Sequence, residues 1–281
     1  MSEEGPTLQR MIAAAREVAD PPFDSLFGLA RHISVAGIAG LITGLLVGGV
    51  GGRLFMRIAG AAAPDFAQGR STEAGFTVGE VTLGGTIGLV LFVGIFVGVV
   101  GAVTYLVFRP WLGWAGNWRG VTFGLLLFGV GSATSDVLNP DNFDFAILGN
   151  SGLVVSLIVV LFVGFGAFLD WMFGILDRRL PPSNDGSARW AYAFLAVMGA
   201  GLGGLTTPFI LFSRQACDCD PPIVSSTFVI MAAIGTLMWW WHTLKPNRTS
   251  NLAKVLGFVG LTGAIVFGLI RALSDAIDII R

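Results

Sequence analysis

The chain has 281 residues, of which 54% are hydrophobic and only 12% are charged, and its net charge is −1. A soluble domain carries about 25% charged residues, so this composition excludes an ordinary soluble domain and indicates an integral membrane protein. The near-neutral net charge excludes a basic surface for nucleic acid. Two cysteines are too few for a disulfide framework.

Residues 1–31 differ from the rest of the chain because they are mostly polar. A run from Thr7 to Val18 places its apolar side chains on one helical face, and Pro21 and Pro22 follow it. We predict a cytoplasmic N-terminal segment that contains one short amphipathic helix. The segment lacks the apolar core of a cleavable signal peptide, so we expect the first membrane span to direct insertion.

Residues 32–281 form the second predicted unit, a single transmembrane domain. A membrane-spanning helix needs about 20 mostly apolar residues, and seven stretches meet that length. We therefore predict an all-α, polytopic bundle of about seven transmembrane helices. The predicted spans are 33–57, 82–108, 119–138, 152–176, 189–213, 222–243 and 254–277.

The lysines and arginines between the spans alternate in a way that predicts the orientation. They concentrate in the N-terminal segment and in the connections after the second, fourth and sixth spans. The connection 136–150, on the other side, contains Asp136, Asp141 and Asp144 but no basic residue. Because cytoplasmic loops carry the excess of basic residues, we predict N-terminus in and C-terminus out. The expected location is the bacterial plasma (inner) membrane.

The chain contains 40 glycines, and those of the first span recur every four residues, at Gly40, Gly44, Gly48 and Gly52. Small residues at this spacing allow another helix backbone to approach closely. Two interpretations remain open. The row packs against a helix of the same chain, or it forms an interface with a membrane-protein partner or a second copy.

Arg53 and Arg57 lie four residues apart at the end of the first span, where we expect the outer edge of the hydrocarbon. One interpretation is that both guanidinium groups extend to lipid headgroups or water. The other is a cluster beneath the outer face that joins helix ends or binds an anionic ligand through paired arginines. The candidate ligand-binding residues are Arg53, Arg57, Glu80, Asp136, Arg271 and Asp275. Arg271 and Asp275 are four apart and are predicted to pair on one helix face.

Asp170, near the cytoplasmic end of the fourth span, is predicted to pair with an arginine of a loop.

Cys217 and Cys219 lie in a predicted outer loop, where the compartment favours a disulfide over free thiols. A soft-metal site is a weaker alternative. We predict no cofactor and no resident metal.

The chain shows none of the common hydrolase or nucleotide-binding motifs, so we do not predict an enzyme. The first functional hypothesis is a structural or accessory subunit of a membrane assembly. The alternative is a permease or binding protein for a small anionic solute or a lipid headgroup, with possible transport through an outward-facing Arg/Asp/Glu cluster. The expected partners are the lipid bilayer and either a membrane-protein partner or further copies of the chain.

Overall fold

The computed structural model describes residues 26–71, 77–78, 83–134, 136–182, 188–199, 201, 234, 237 and 251–281. The predicted amphipathic helix lies outside these residues. The sixth predicted span is represented only by residues 234 and 237. Regular structure in the described part is helical, and the β-type pairing there is a single isolated bridge between Ser71 and Thr77.

In each of the first two helices, a π-helical segment lies between two α-helical segments. Helix α1 comprises Leu26–Thr43, a π-helical segment Gly44–Gly51, and Gly52–Ala62. Helix α2 comprises Leu83–Gly88, a π-helical segment Leu89–Val97, and Gly98–Phe108. A π turn closes its hydrogen bond over five residues and widens the helix. The two π segments contact each other.

The remaining described helices are α3 (Arg119–Thr134), α4 (Phe143–Leu148), α5 (Ser151–Arg179), α6 (188–199) and α7 (Asn251–Ile280). Local sequence explains several of their ends. Pro110 follows α2 and cannot donate the next backbone hydrogen bond. The side chain of Asn142 accepts from the amide of Asp144 at 2.8 Å at the start of α4, as an N-cap residue does.

Among the described residues, three helices are long and apolar enough to cross a membrane: Phe27–Ala62, Leu83–Phe108 and Ser151–Arg179. They correspond to the predicted spans 33–57, 82–108 and 152–176. Within the predicted span 119–138, the described residues form helix α3 (Arg119–Thr134) and a 3-10 turn (Asp136–Leu138).

The apolar core lies between α1, α2, α3, α5 and α7. One cluster of buried side chains joins all five helices, with Tyr105, Phe123 and Phe173 among its largest members. A second cluster joins the last turns of α1, α3 and α7 to the first turns of α5, with Phe145 of α4 against them. Helix α6 lies beside the start of α1, where Trp190 stacks edge-on against Phe27.

Glycines form the closest helix contacts. Gly40 and Gly44 of α1 lie directly against Gly98 of α2, and a Cβ added at Gly98 would lie 2.8 Å from the Cα of Gly44. A Cβ at Gly124 of α3 would lie 2.5 Å from the carbonyl oxygen of Phe162 on α5. A third crossing brings Gly129 of α3 against Gly268 of α7, where an added Cβ would meet backbone at 3.0 and 2.7 Å.

This packing assigns part of the predicted glycine row to contacts within the chain. Gly40 and Gly44 contact α2, and a Cβ at Gly52 would lie 3.3 Å from the Leu89 side chain. Side chains at the first two positions would overlap backbone atoms of α2. The row therefore contributes to the α1–α2 contact within the chain.

The charged residues divide between the two ends of the bundle. At one end, called here the basic end, α1 and α3 begin and α2 and α5 finish. Four arginines at this end, each from a different helix or helix end, contact a side chain of another helix. They are Arg31, Arg109, Arg119 and Arg189. The other end, called here the opposite end, contains the last turns of α1, α3 and α7 together with α4.

Candidate functional site

The predicted ligand cluster would lie at the opposite end of the bundle. Arg53 and Arg57 occupy consecutive turns of Gly52–Ala62, the last part of α1. The inner face of this part is formed by small residues, Gly52, Ala59 and Gly60, which are buried. Arg57 is exposed, and Arg53 is half-buried with its Nη1 atom 3.8 Å from the sulfur of Met56.

Arg271 and Asp275 form an ion pair along α7, as their spacing predicts. The Arg271 Nε atom lies 3.3 Å from Asp275 Oδ1, and the Asp275 side chain is only 9% exposed. Within the described part, Arg57 forms no ion pair with Asp275. The side chain of Asp136 and all of Glu80 lie outside the described residues. The structure thus brings together one pair of the six candidates and places Arg53 beside Arg57 on a different helix.

The segment after α1 folds back over this end. The Gln68 amide donates to the Gly60 carbonyl at 2.8 Å, and Val78 donates its backbone N–H to Arg70 at 2.9 Å. Ala63, Ala67 and Val78 are buried against Ile147 of α4. The backbone hydrogen bonds and the Ser71–Thr77 bridge pair residues 69–71 with residues 77–78.

The basic end contains a second polar cluster that joins three helices. The Tyr105 hydroxyl of α2 donates to Oδ1 of Asp170 on α5. The same oxygen accepts from Arg119 of α3, with Nε at 3.1 Å and Nη2 at 2.9 Å. The close α3–α5 crossing makes this contact reachable, since a Cβ at Gly120 would lie 2.7 Å from the Cβ of Asp170. The predicted pairing of Asp170 with an arginine is confirmed, and that arginine is Arg119.

Arg31 joins the start of α1 to the end of α5. Its Nη1 and Nη2 atoms lie 2.5 Å from the Asp177 side chain and carbonyl, respectively. It also donates to the carbonyls of Leu180, at 3.1 Å, and Pro181, at 3.0 Å. A guanidinium group can hold several acceptors at once because its five N–H groups lie in a fixed plane. Four contacts from one side chain fix the position where α5 ends.

Two cation–π contacts also lie at the basic end. The Arg109 guanidinium carbon lies 4.6 Å from the centre of the Phe173 ring, and that of Arg189 lies 4.3 Å from the Phe27 ring. Such cation–π contacts contribute on the order of 0.5–2 kcal/mol, depending on desolvation. They add helix-to-helix contacts without adding buried negative charge.

The two π-helical segments that contact each other were not predicted from the sequence. Thr43 immediately precedes Gly44–Gly51 and is fully buried, and its hydroxyl has no hydrogen-bond partner among the described residues. The π segment of α2 is mainly large and apolar, so hydropathy gives no sign of it. The density of glycine from Gly44 to Gly52 was the only local signal.

Comparison with protein-family models, with curated proteins and with solved structures gives no match for this chain. Cys217 and Cys219, predicted to form a disulfide, lie outside the described residues. The His32 ring donates its Nδ1–H to the Gly28 carbonyl at 2.8 Å, one turn earlier in α1.

Proposed function

We propose that the chain is a seven-span protein of the bacterial plasma membrane that acts without catalysis, as a structural or accessory subunit of a membrane assembly. Its basic end would face the cytoplasm, because basic residues mark cytoplasmic connections. The observation that carries the proposal is that three aspartates of the described helices pair with arginines of the same chain. Asp170 and Asp177 each form an ion pair with an arginine of another helix, and Asp275 pairs with Arg271 of its own helix.

These pairs support a structural role because ionised groups inside a membrane bundle are expensive unless they are paired. The Asp170 carboxylate accepts hydrogen bonds from Tyr105 of α2 and Arg119 of α3, so it joins three helices and is not available to a solute. The contact between Gly44 and Gly98 supports the same role, because backbones in direct contact leave no room for a solute between them.

The alternative, a binder of anionic solute or lipid, is favoured by one observation, the exposed Arg57 beside Arg53. A solute site would need these arginines to share an enclosed cavity with Asp136 and Asp275. Arg57 instead lies on the exposed side of α1, while Asp275 pairs with Arg271. This arrangement favours contact with the surrounding membrane over an enclosed solute.

The test is the mass of the native protein after extraction in a mild detergent. An accessory subunit should migrate in a complex of fixed stoichiometry, and the isolated chain should lose its folded state faster than the complex. Light scattering combined with native mass spectrometry gives both the mass and the composition. A chain that is monomeric, stable and alone under the same conditions contradicts the proposal.

A further inference from the structure

The exposed side of α1 changes from apolar to basic near the end of the helix. Leu46, Val50, Leu54 and Ile58 follow one another at four-residue spacing, and all four are exposed. Val50 and Leu54 expose 64% and 59% of their surface. Arg53 and Arg57 lie in the same turns as the last two members of this row. The result is a stripe of apolar side chains with two guanidinium groups at one end.

The depth of the arginines follows from helix length. The apolar helix Phe27–Ala62 contains 36 residues and rises about 54 Å, whereas the hydrocarbon of a bilayer is about 30 Å thick. At least one end of α1 must therefore extend into a headgroup region. Arg53 and Arg57 lie in the third and second turns before the end of α1, and a helix centred in the bilayer places them near the border between hydrocarbon and headgroups.

We propose that Arg53 and Arg57 bind the phosphate of an anionic phospholipid, whose acyl chains lie along the inner part of the row, from Leu46 to Leu54. Charge complementarity selects the phosphate, because paired guanidinium groups bind its oxygens through bidentate hydrogen bonds. The apolar row selects a lipid over free phosphate, because inorganic phosphate has no acyl chains to cover these side chains. This inference concerns a ligand and does not depend on the subunit role proposed above.

Native mass spectrometry of the full-length protein in detergent tests this site. Three probes are added separately: phosphatidylglycerol, phosphatidylcholine and inorganic phosphate. The wild-type chain should bind phosphatidylglycerol with the highest affinity and inorganic phosphate not measurably. The double variant Arg53→Gln/Arg57→Gln should bind phosphatidylglycerol roughly thirtyfold more weakly, since each basic residue near an anionic lipid surface contributes about a factor of five.

The matched control is Arg178→Gln/Arg179→Gln, which removes two exposed arginines from the last turn of α5. It should leave phosphatidylglycerol affinity within about twofold of wild type. An equal loss in both double variants would show that lipid binding reflects total charge and would overturn the proposal. Tight binding of inorganic phosphate, or unchanged lipid affinity in Arg53→Gln/Arg57→Gln, would overturn it as well.

Two further variants keep the test independent of folding defects. Arg53→Lys/Arg57→Lys retains both charges but cannot form the bidentate contacts, so lipid affinity should fall by less than in the glutamine variant. Leu54→Ser leaves both arginines and shortens the apolar row, and it should weaken lipid binding without changing the response to inorganic phosphate. A Leu54→Ser chain with wild-type lipid affinity would contradict the role of the apolar row.

Discussion

Tyr105 of α2 and Asp170 of α5 share a hydrogen bond, although they are 65 residues apart in the chain. Arg119 of α3 donates to the same carboxylate oxygen, so one side chain joins three helices. Tyr105 also packs edge-on against Phe123 and Phe173, at centroid distances of 5.1 and 6.0 Å. The polar contact is therefore enclosed by the aromatic core, where the loss of one partner leaves another unsatisfied.

The substitution Asp170→Asn should destabilise the protein by about 1–3 kcal/mol, because it leaves the Arg119 guanidinium without its counter-charge. The Asp170 and Arg119 side chains are 17% and 20% exposed, so solvent compensates only in part. Denaturant unfolding of the purified protein in detergent measures the change. Asp141→Asn, at an exposed position, is the control and should stay within about 0.5 kcal/mol of wild type.

The substitution Tyr105→Phe should cost about 1.5–3 kcal/mol, since it removes a hydrogen bond to a charged group but retains both aromatic contacts. A double-mutant cycle with Asp170→Asn tests whether the two side chains act together. We expect the combined loss in unfolding free energy to be smaller than the sum of the single losses. Strict additivity would argue against a shared network at the basic end.

The α1–α2 crossing should not tolerate a side chain at Gly44. In Gly44→Ala the new Cβ would overlap the carbonyl oxygen of Gly94, so the helices must separate and lose contacts along the crossing. We expect a loss of more than about 2 kcal/mol, a range typical of overpacked cores. Gly37→Ala on the same helix is the matched control, because nothing lies within 4 Å of its added Cβ. Equal stability of the two variants would contradict the close contact between α1 and α2 at Gly44.

Sequence alone located the long apolar helices because hydropathy is a strong signal over 20 residues. The predicted span 82–108 differs by one residue at its start from the helix Leu83–Phe108. Hydropathy did not identify helix neighbours, because these helices are apolar on every face. Asp170 was therefore expected to pair with some arginine, but neither Arg119 nor the contribution of Tyr105 followed from the pattern.

The candidate cluster at the opposite end shows the same limit. The spacing of Arg271 and Asp275 was sufficient to predict their pair, because both lie on one helix. Placing Arg53 and Arg57 beside Asp275 required knowledge of how α1 and α7 are rotated, which the sequence does not contain. The π segments also escaped prediction, since widening a helix alters its hydrogen bonds without altering its hydropathy.

Gly149 ends α4 with a left-handed backbone conformation, φ 68°, and donates to the Phe145 carbonyl at 3.3 Å. The variant Gly149→Ala should lose about 1–2 kcal/mol, because a Cβ is disfavoured at positive φ and would lie 3.0 Å from the Pro64 ring. Gly152→Ala, with open space around its added Cβ, is the control. Unfolding free energy compares the two, and a Gly149→Ala protein as stable as the control would contradict this account.

Arg31 should be irreplaceable by lysine. Arg31→Lys keeps the charge beside Asp177 but cannot also reach the carbonyls of Leu180 and Pro181, because lysine has one donor centre. We expect a loss of about 1–2 kcal/mol for Arg31→Lys and a larger loss for Arg31→Gln. Arg178→Lys, at an exposed position in the same region, should have no measurable effect. Thermal unfolding in detergent ranks the three variants, and a neutral Arg31→Lys would show that charge alone is sufficient.

The proposed orientation predicts which positions a membrane-impermeant thiol reagent reaches in intact cells. Cys217→Ser and Cys219→Ser first remove the native thiols, and single cysteines then replace Arg178 at the basic end or Asp141 at the opposite end. Both native side chains are exposed, so accessibility depends on the side of the membrane. Asp141→Cys should react in intact cells and Arg178→Cys only after permeabilisation.

Arg281→Cys extends the same experiment to the number of spans. Helix α7 is parallel to α3, because Trp114 contacts Phe258 near its start and Gly268 crosses Gly129 further along. Its last residue therefore lies at the opposite end, and a cysteine there should react in intact cells like Asp141→Cys. An odd number of spans requires this result if the N-terminal segment is cytoplasmic. Labelling of Arg281→Cys only after permeabilisation would exclude the seven-span arrangement. Labelling of Arg178→Cys alone in intact cells would show that the orientation is the reverse of the one proposed.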